Sequence, residues 1–251
     1  LQLGPFVDAE RPHVQGVAEM SRTVVEEFSA LLTRIDQLAT ALHHTQFVLV
    51  PSLRDAHQPF VYPQPCYSVS DRCHIESHIA EAEQGETRAN NITMTSNPAV
   101  ISVNGVRIGI STTDIVRHMA AVELNSRTAG QDSDRISRLL QHVVEQESFY
   151  PLYPAHAEVP LHTSKYLQCM FHQHVPHVLV LHSQLAHFAK VGLILQIDSL
   201  TNFFQNVHGV LCVNAGRVVN GASSGVVAEL HIHGHDSCQI PEQTRVNHIY
   251  L

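Results

Sequence analysis

The stretch that most limits what this chain can become is Phe47-Val48-Leu49-Val50 with the proline-rich run behind it, Pro51 to Pro65. Four consecutive apolar residues, β-branched at two positions and bounded by Thr45-Gln46 before and Pro51-Ser52 after, have the length and content of a strand buried on both faces. Pro51 has no amide hydrogen and ends the strand. In an α/β sheet, ligands collect outside the carboxyl ends of the strands, so Ser52-Leu53-Arg54-Asp55 stands where chemistry would be expected. Pro51, Pro59, Pro63 and Pro65 bias their neighbours toward extended backbone, which predicts an ordered, non-helical loop over residues 51 to 67.

The flanking sequence fits a crossover unit around that strand. Leu1-Gln2-Leu3 reads as a strand already under way, and we expect the chain to be the C-terminal part of something longer. Apolar residues then recur at helical spacing from Val14 to Leu42, in one helix or two with a break. Strand, helix, strand is the right-handed crossover of an α/β sheet. Residues 68 to 97 are polar and acidic with weak periodicity, which predicts a mobile insertion with a short helix near Ile75 to Ala82.

Farther along, Ala99 to Val103 and Val106 to Ile110 alternate around Asn104-Gly105, a dipeptide suited to a type I′ hairpin turn. Ser111 or Thr112 is placed to cap a helix over Asp114 to Val122, and a second helix is predicted from about Asp134 to Glu147. Val178 to Leu181 reads as a core strand, with Ser183 capping a helix from Gln184 to Lys190. The apolar segment Val191 to Val207 fits no single element. Val210 to Asn214, Val226 to His233 and Arg245 to Leu251 read as strands, with a turn at Gly221 to Gly225. Helices and strands mixed with late hairpins predict an α/β fold of two sheets, a sandwich rather than a doubly wound sheet.

Composition narrows the function classes. A net charge of -8 with scattered basic residues disfavours direct duplex binding. No apolar run approaches the length needed to cross a bilayer, so a membrane role is not expected and the chain reads as soluble. The five cysteines, Cys66, Cys73, Cys169, Cys212 and Cys238, contain no C-x-x-C pair, which argues for a reducing compartment and against a disulfide scaffold or a cysteine zinc site. Asn91-Ile92-Thr93 is then a chance match to a glycosylation sequon.

Three post-strand loops, Gly4-Pro5-Phe6-Val7-Asp8, Pro51-Ser52-Leu53-Arg54-Asp55 and His182-Ser183-Gln184-Leu185, carry a family resemblance. Together with Val61-Tyr62-Pro63-Gln64-Pro65, Tyr150-Pro151-Leu152-Tyr153-Pro154 and Cys212-Val213-Asn214-Ala215-Gly216-Arg217, they are similar to the B-subunit family of eukaryotic DNA polymerase alpha-primase. The resemblance runs, with gaps, over essentially the whole chain. It implies that residues 1 to 251 form the C-terminal phosphoesterase-like domain, a two-sheet calcineurin-like metallophosphoesterase sandwich that is catalytically degenerate; the N-terminal and oligonucleotide-binding-fold parts of such proteins are not evident here.

The active relatives of that fold hold two divalent ions with G-D-x-x-D, G-N-H-D/E and G-H-x-H at successive strand ends, a bridging carboxylate and several imidazoles clamping the reacting oxygens. By the resemblance, Pro5 after Gly4 stands in place of the bridging Asp, Leu53 after Ser52 in place of the ligand Asn, Arg54 in place of a His, and Ser183 and Leu185 in place of two more imidazoles. Asp8 and Asp55 remain, neither a principal ligand in the active pattern. A guanidinium cannot coordinate a divalent cation, so Arg54 and Asp55 are expected to tie the loop down as a charge-assisted pair. No catalytic residue, metal or cofactor is expected.

The resemblance also implies partners: the C-terminal zinc-containing region of the polymerase alpha catalytic subunit, primase through the complex, DNA only indirectly, and a nuclear location. The alternatives are an active metal-dependent phosphodiesterase or 3′-5′ exonuclease, and the corresponding accessory protein of polymerase delta or epsilon. The aromatic loops Tyr62 to Pro65 and Phe149 to Pro154 are candidates for contact or for packing, and the sequence does not choose between these.

Other clusters are read on their chemistry. His231-Ile232-His233-Gly234-His235-Asp236 would place His231 and His233 on one strand face, but no second ligand group accompanies them, and an exposed strand end is expected. His172-Gln173-His174 with His177 is a weaker cluster in a polar loop. His43-His44 sit where protonated rings would offset a helix dipole. A Ser111, Asp114, His118 assembly is set aside in favour of helix capping, since Ser111 lies in no nucleophile-elbow sequence. Gly221-Ala222-Ser223-Ser224-Gly225 lacks the Lys of a phosphate loop and reads as a turn.

Overall fold

The computed structural model describes residues 1–10, 23–67, 91–124, 135–171, 175–185, 187–197, 204–216, 219–220, 223–233 and 240–250. It is a mixed α/β structure that divides into two compact units, Leu1–Asn97 with Val159–Leu161, and Pro98–Glu158 with His162–Leu251. No helix among the described residues is long and apolar enough to cross a membrane.

In the first unit, β1 (Gln2–Leu3) and β3 (Ile92–Met94) flank β2 (Phe47–Val50), both parallel to it, with Leu49 opposite Gln2 on one side and Met94 on the other. The helix α1 (Val24–Ala41) makes the crossover. It buries Phe28, Leu32, Ile35 and Ala39, an i, i+4, i+7, i+11 stripe, and the first three join Val7, Leu49, Tyr67 and Met94 in one core. A capping box starts it: the Thr23 hydroxyl accepts from the Glu26 amide while the Glu26 carboxylate accepts from the Thr23 amide at 2.7 Å. We expect Thr23→Ala to lower stability by about 1 kcal/mol in urea unfolding.

The other end of α1 is closed from a distance. The Asn91 amide donates to the carbonyls of Ala39, Leu42 and Thr45, and a His43 ring nitrogen lies 3.3 Å from the Thr40 carbonyl. Asn91 is buried and its nitrogen is committed to these bonds, which agrees with the sequon being accidental. The expected mobile insertion is corrected at its end, because an ordered strand, Ile92–Met94, forms there. Its short length and the single polar-flanked apolar pair hid it. The helix expected near Ile75 to Ala82 and the N-terminal part of the helical run lie outside the described residues.

In the second unit, a five-stranded sheet runs β4-β5-β6-β8-β7, built from β4 (Ala99–Val103), β5 (Val106–Ser111), β6 (Val178–Leu181), β7 (Phe188–Ile197) and β8 (Phe204–Asn214). The central strands β5, β6 and β8 are parallel, and antiparallel partners close both edges. The β4–β5 hairpin turns on Asn104 at φ 51 and Gly105 at φ 82, the positive pair that a type I′ turn requires. Every residue of β6 is buried, as expected of a central parallel strand. Two helices follow in this unit, α2 (Ile115–Val122) and α3 (Arg135–Glu145), the latter burying Leu139, Leu140, Val143 and Val144. A 3-10 helix (Thr163–Cys169), the short hairpin β9 (Val219–Asn220) and β10 (Ser223–Ser224), the ribbon of β11 (Val226–Ile232) with β12 (Thr244–Tyr250), and the single turn α4 (Ile240–Gln243) complete it.

Two expectations are corrected here. The cap of α2 is Asp114, whose carboxylate accepts from the Arg117 amide, rather than Ser111 or Thr112; the Ser111 hydroxyl instead accepts from the Thr113 amide. The helix expected from Gln184 to Lys190 does not form. Phe188 pairs with Asn214 and opens β7, and the described residues of the segment Val191 to Val207 belong to β7 and β8. Ser183 and Gln184 are engaged by a distant carboxylate, which removes the local capping that a helix start there would need.

Candidate functional site

In the first unit, the loops leaving β1 and β2 fold onto each other around one carboxylate. Asp55 is buried and accepts from the backbone amides of Phe6, Val7 and Ser52, the last at 2.8 Å, with the Tyr67 hydroxyl 3.5 Å from Oδ2. Both oxygens are thus directed at groups of the chain itself. Gly4 is required by this closeness: a Cβ there would collide with the Asp55 carboxylate and the Ser52 amide. The loops also exchange backbone bonds, Ala9 amide to Arg54 carbonyl at 2.8 Å and Ala56 amide to Val7 carbonyl at 2.9 Å. Burial raises the Asp55 carboxyl above its ordinary value, against the pull of the Ser52, Phe6 and Val7 amides and the Tyr67 hydroxyl.

Arg54 does not pair with Asp55, which corrects the expected ion pair. Its guanidinium lies 2.6 Å from Asp8 and 2.6 Å from Glu10. The reason is that the Asp55 oxygens are taken by the amides of Phe6, Val7 and Ser52, while the Arg54 guanidinium is taken by Asp8 and Glu10. Pro5, Leu53 and Leu185 are half-buried and offer no donor atom beyond the backbone. A divalent ion would have to take Asp55 from three amides while Pro5, Leu53 and Arg54 offer it no donor, so the donor chemistry of this loop pair does not fit a metal centre.

The proline-rich loop is held by Gln64, whose amide donates to the carbonyls of Ser52 at 3.1 Å and Pro59 at 3.2 Å and whose backbone bonds Asn97 in both directions. Tyr62 is fully buried, and its amide donates to the Pro160 carbonyl. Phe149 and Tyr150, in the second unit, are buried as well, so both aromatic loops are packing elements in the main. Phe60 and Tyr153 are the outward-facing rings, 61% and 81% exposed.

In the second unit, Asp114 organises the strand ends. One carboxylate oxygen accepts from the Ser183 hydroxyl at 2.6 Å and the Arg117 amide at 3.2 Å, and the other from the Gln184 amide at 2.7 Å. Asn214, at the end of β8, completes the closure: Oδ1 accepts from the Ser183 and Gly216 amides, and Nδ2 donates to the Ser183 and Leu185 carbonyls. Three loops are therefore cross-linked by hydrogen bonds. Asp114 faces Ser183 rather than His118, and Ser111 is engaged locally, so the residues of the hypothetical triad are not brought together as one.

Sequence reasoning missed a cluster beside α2, linked to Asp114 through Arg117. His118 is 2% exposed, its Nδ1 lies 3.2 Å from the Tyr150 hydroxyl, and its ring stacks on that of His156 at 4.1 Å and 12°. Glu158 Oε2 is 3.3 Å from His118 Nε2 and is bonded to Arg117. Burial holds the His118 imidazole below its usual value, opposed by the hydrogen bond it makes to the Glu158 carboxylate. For Glu158, burial is outweighed by the Arg117 and His118 hydrogen bonds, and its carboxyl lies below the usual range. The available signal was the H-x-E spacing of His156-Ala157-Glu158 directly after a tyrosine-proline turn.

The remaining candidates stay separate. His231 and His233 stack with parallel planes on one strand face, and His231 contacts Glu229 at 3.1 Å; His235 lies outside the described residues. His177 Nδ1 accepts from the Arg107 amide, so this ring is used in the sheet, and His172 and His174 lie outside the described residues. The Cys169 thiol is buried and pushed up to about 12, which makes it inert as a nucleophile or ligand.

An α/β chain whose strand-end loops are closed by their own carboxylates, rather than open around a ligand, is what these two units define. Comparison with known proteins carries this further. Residues 1–190 match the model of the family of B subunits of DNA polymerases alpha and epsilon, and the chain belongs to that family. It is 33% identical over 215 residues, 86% of this chain, to the B subunit of DNA polymerase alpha from Bos taurus, and 29% identical over 229 residues, 91% of this chain, to that from Mus musculus. With the Schizosaccharomyces pombe protein of the same name it shares 30% over 238 residues, again 91% of this chain. The chain spans about a third of the length of these relatives, 33% of each mammalian protein and 35% of the Schizosaccharomyces pombe one.

Proposed function

We propose that this chain is a non-catalytic scaffold, the phosphoesterase-like part of an accessory subunit of DNA polymerase alpha, with a degenerate calcineurin-like two-sheet sandwich. It binds the C-terminal zinc-containing region of the catalytic subunit and through it joins primase in the nuclear complex that makes primers for DNA replication. DNA is met only through that complex, consistent with the net charge of -8. The single observation that supports the loss of catalysis is Asp55: both oxygens serve backbone amides, and the adjacent Arg54 occupies Asp8, so Gly4, Pro5, Asp8, Ser52, Leu53, Arg54 and Asp55 act as structure. Ser183 and Leu185 are assigned the same role, Ser183 through its bond to Asp114.

Co-expression with the C-terminal region of each catalytic subunit, alpha, delta or epsilon, followed by size-exclusion chromatography tests the partner. Stable co-elution with the alpha region is the expected result, and co-elution with delta or epsilon alone would reassign the chain. In parallel, the purified chain is expected to show no manganese-dependent hydrolysis of a nitrophenyl phosphodiester. Turnover that disappears in Asp8→Ala or Asp55→Asn would establish the phosphodiesterase alternative instead.

A further inference from the structure

The cluster beside α2 holds the group of potential metal ligands found among the described residues: one atom each from His118, His156 and Glu158 lies within 4.8 Å of the others. We propose that these three side chains form a site for one divalent transition metal of the zinc type, which Arg117 competes for as a resident cation.

The donor set is right for such an ion, two imidazoles and a carboxylate leaving one position to solvent. Zinc bonds of roughly 2.0–2.2 Å place tetrahedral donors about 3.3 Å apart, so the widest separation in the cluster must close by about 1.5 Å at most. His118, buried in α2, is the fixed point. The other two sit on the 155–158 turn, where His156 is half-buried and Glu158 is 57% exposed, and binding requires the His156 ring to rotate out of its parallel stack on His118, since two stacked imidazoles cannot both aim a nitrogen lone pair at one ion. The Tyr150 hydroxyl on His118 Nδ1 supplies the outer partner that fixes the ring of a metal-binding histidine and leaves Nε2 toward the site.

Arg117 occupies the same space with the same sign of charge. Its Nη2 lies 3.1 Å from His118 Nε2 and also bonds Glu158. A guanidinium satisfies these acceptors but cannot share them with a metal. It has a second anchor, since Nε is 3.4 Å from the Asp114 carboxylate, so releasing Glu158 does not strand it. The site therefore binds metal by displacing one arginine hydrogen-bond set, and removing the arginine should strengthen binding. Twenty histidines in the chain make unspecific binding the rival, and His231 with His233 is its best representative.

The purified chain, stripped of metal with a chelator, is titrated with Co²⁺ by visible d–d absorption and with Zn²⁺ against a chromophoric chelator. One equivalent with a tetrahedral Co²⁺ spectrum is expected. His156→Ala and Glu158→Gln, both outside the core, should weaken it by at least about tenfold, Arg117→Ala should tighten it by a similar factor, and His231→Ala with His233→Ala should leave it unchanged. Circular dichroism of each variant checks that the fold is kept. Equal affinity in wild type, His156→Ala and Glu158→Gln, or binding that vanishes with His231 and His233, overturns the proposal.

Discussion

Replacing Asp55 by Ala is expected to cost about 3 to 5 kcal/mol, seen as an unfolding midpoint lower by roughly 10 °C. The reason is an acceptor count. Three backbone amides, those of Phe6, Val7 and Ser52, end on this one side chain, so truncation takes the acceptor from all of them at once. A buried amide without a partner costs on the order of 1–3 kcal/mol, and the relief of burying a carboxylate returns part of the sum. Arg54→Ala is the contrast. It removes a partly exposed ion pair to Asp8 and Glu10, worth less than about 1 kcal/mol, although it touches the same loops.

The pH dependence of that loss has a definite sign. Burial raises the folded-state Asp55 carboxyl above the unfolded value of 3.8, so the folded state binds the proton more strongly. Its contribution is therefore fully present below the unfolded value and declines as pH rises through the folded one. When protonated, Oδ2 can donate to the Tyr67 hydroxyl 3.5 Å away while both oxygens still accept from the amides. The stability gap between wild type and Asp55→Ala should be wider in mild acid than near neutrality. Urea midpoints at the two conditions measure it, and a gap that narrows in acid would show that the amides hold the ionised form more tightly than burial penalises it.

How much of this was legible in the sequence depends on whether the cause is local. The type I′ turn at Asn104-Gly105, the buried β6 run and the helical spacing of α1 follow from residue types within a few positions; the first two appear as read, and the helix appears over Val24–Ala41 of the run read from Val14 to Leu42. Ser183 and Gln184 show the opposite case. Read locally they start a helix; in the structure Asp114, 69 and 70 positions away, takes both. A side chain that can cap in two ways is decided by tertiary partners, which composition does not display. The strand Ile92–Met94 was missed for the same reason, because its three residues pair with β2 through contacts of 45 positions in sequence.

The site divides along the same line. Loop positions after β1 and β2 were identifiable because each follows a readable strand, yet the partner of Arg54 was not. Which of two adjacent acids faces inward depends on whether its oxygens meet amides, and the Gly4 backbone had to come close enough to bring those amides in. The His118 cluster was invisible for a further reason: its members are 38 and 40 positions apart, joined by a turn whose proline and tyrosine content announces rigidity but not direction. The H-x-E spacing is too short to carry weight until a third ligand is placed beside it.

Asp114→Ala should be the comparable lesion in the second unit, about 3 kcal/mol or more, because one side chain caps α2 and also holds the loop after β6. Its truncation leaves the Gln184 amide, otherwise bonded at 2.7 Å, and the Ser183 hydroxyl without this acceptor. Ser183→Ala alone removes the hydrogen bond donated to the Asp114 carboxylate, roughly 1.5–3 kcal/mol, together with the one accepted from the Leu185 amide, and the double variant should cost less than the two singles combined, since both delete the bond to Asp114. Hydrogen exchange separates loop release from general destabilisation. Asp114→Ala should speed exchange at the Gln184 amide far more than at the β6 amides, whose bonds belong to the sheet. Uniform acceleration across both would mean that Asp114 acts through helix capping alone, and that the loop after β6 is held by Asn214 without it.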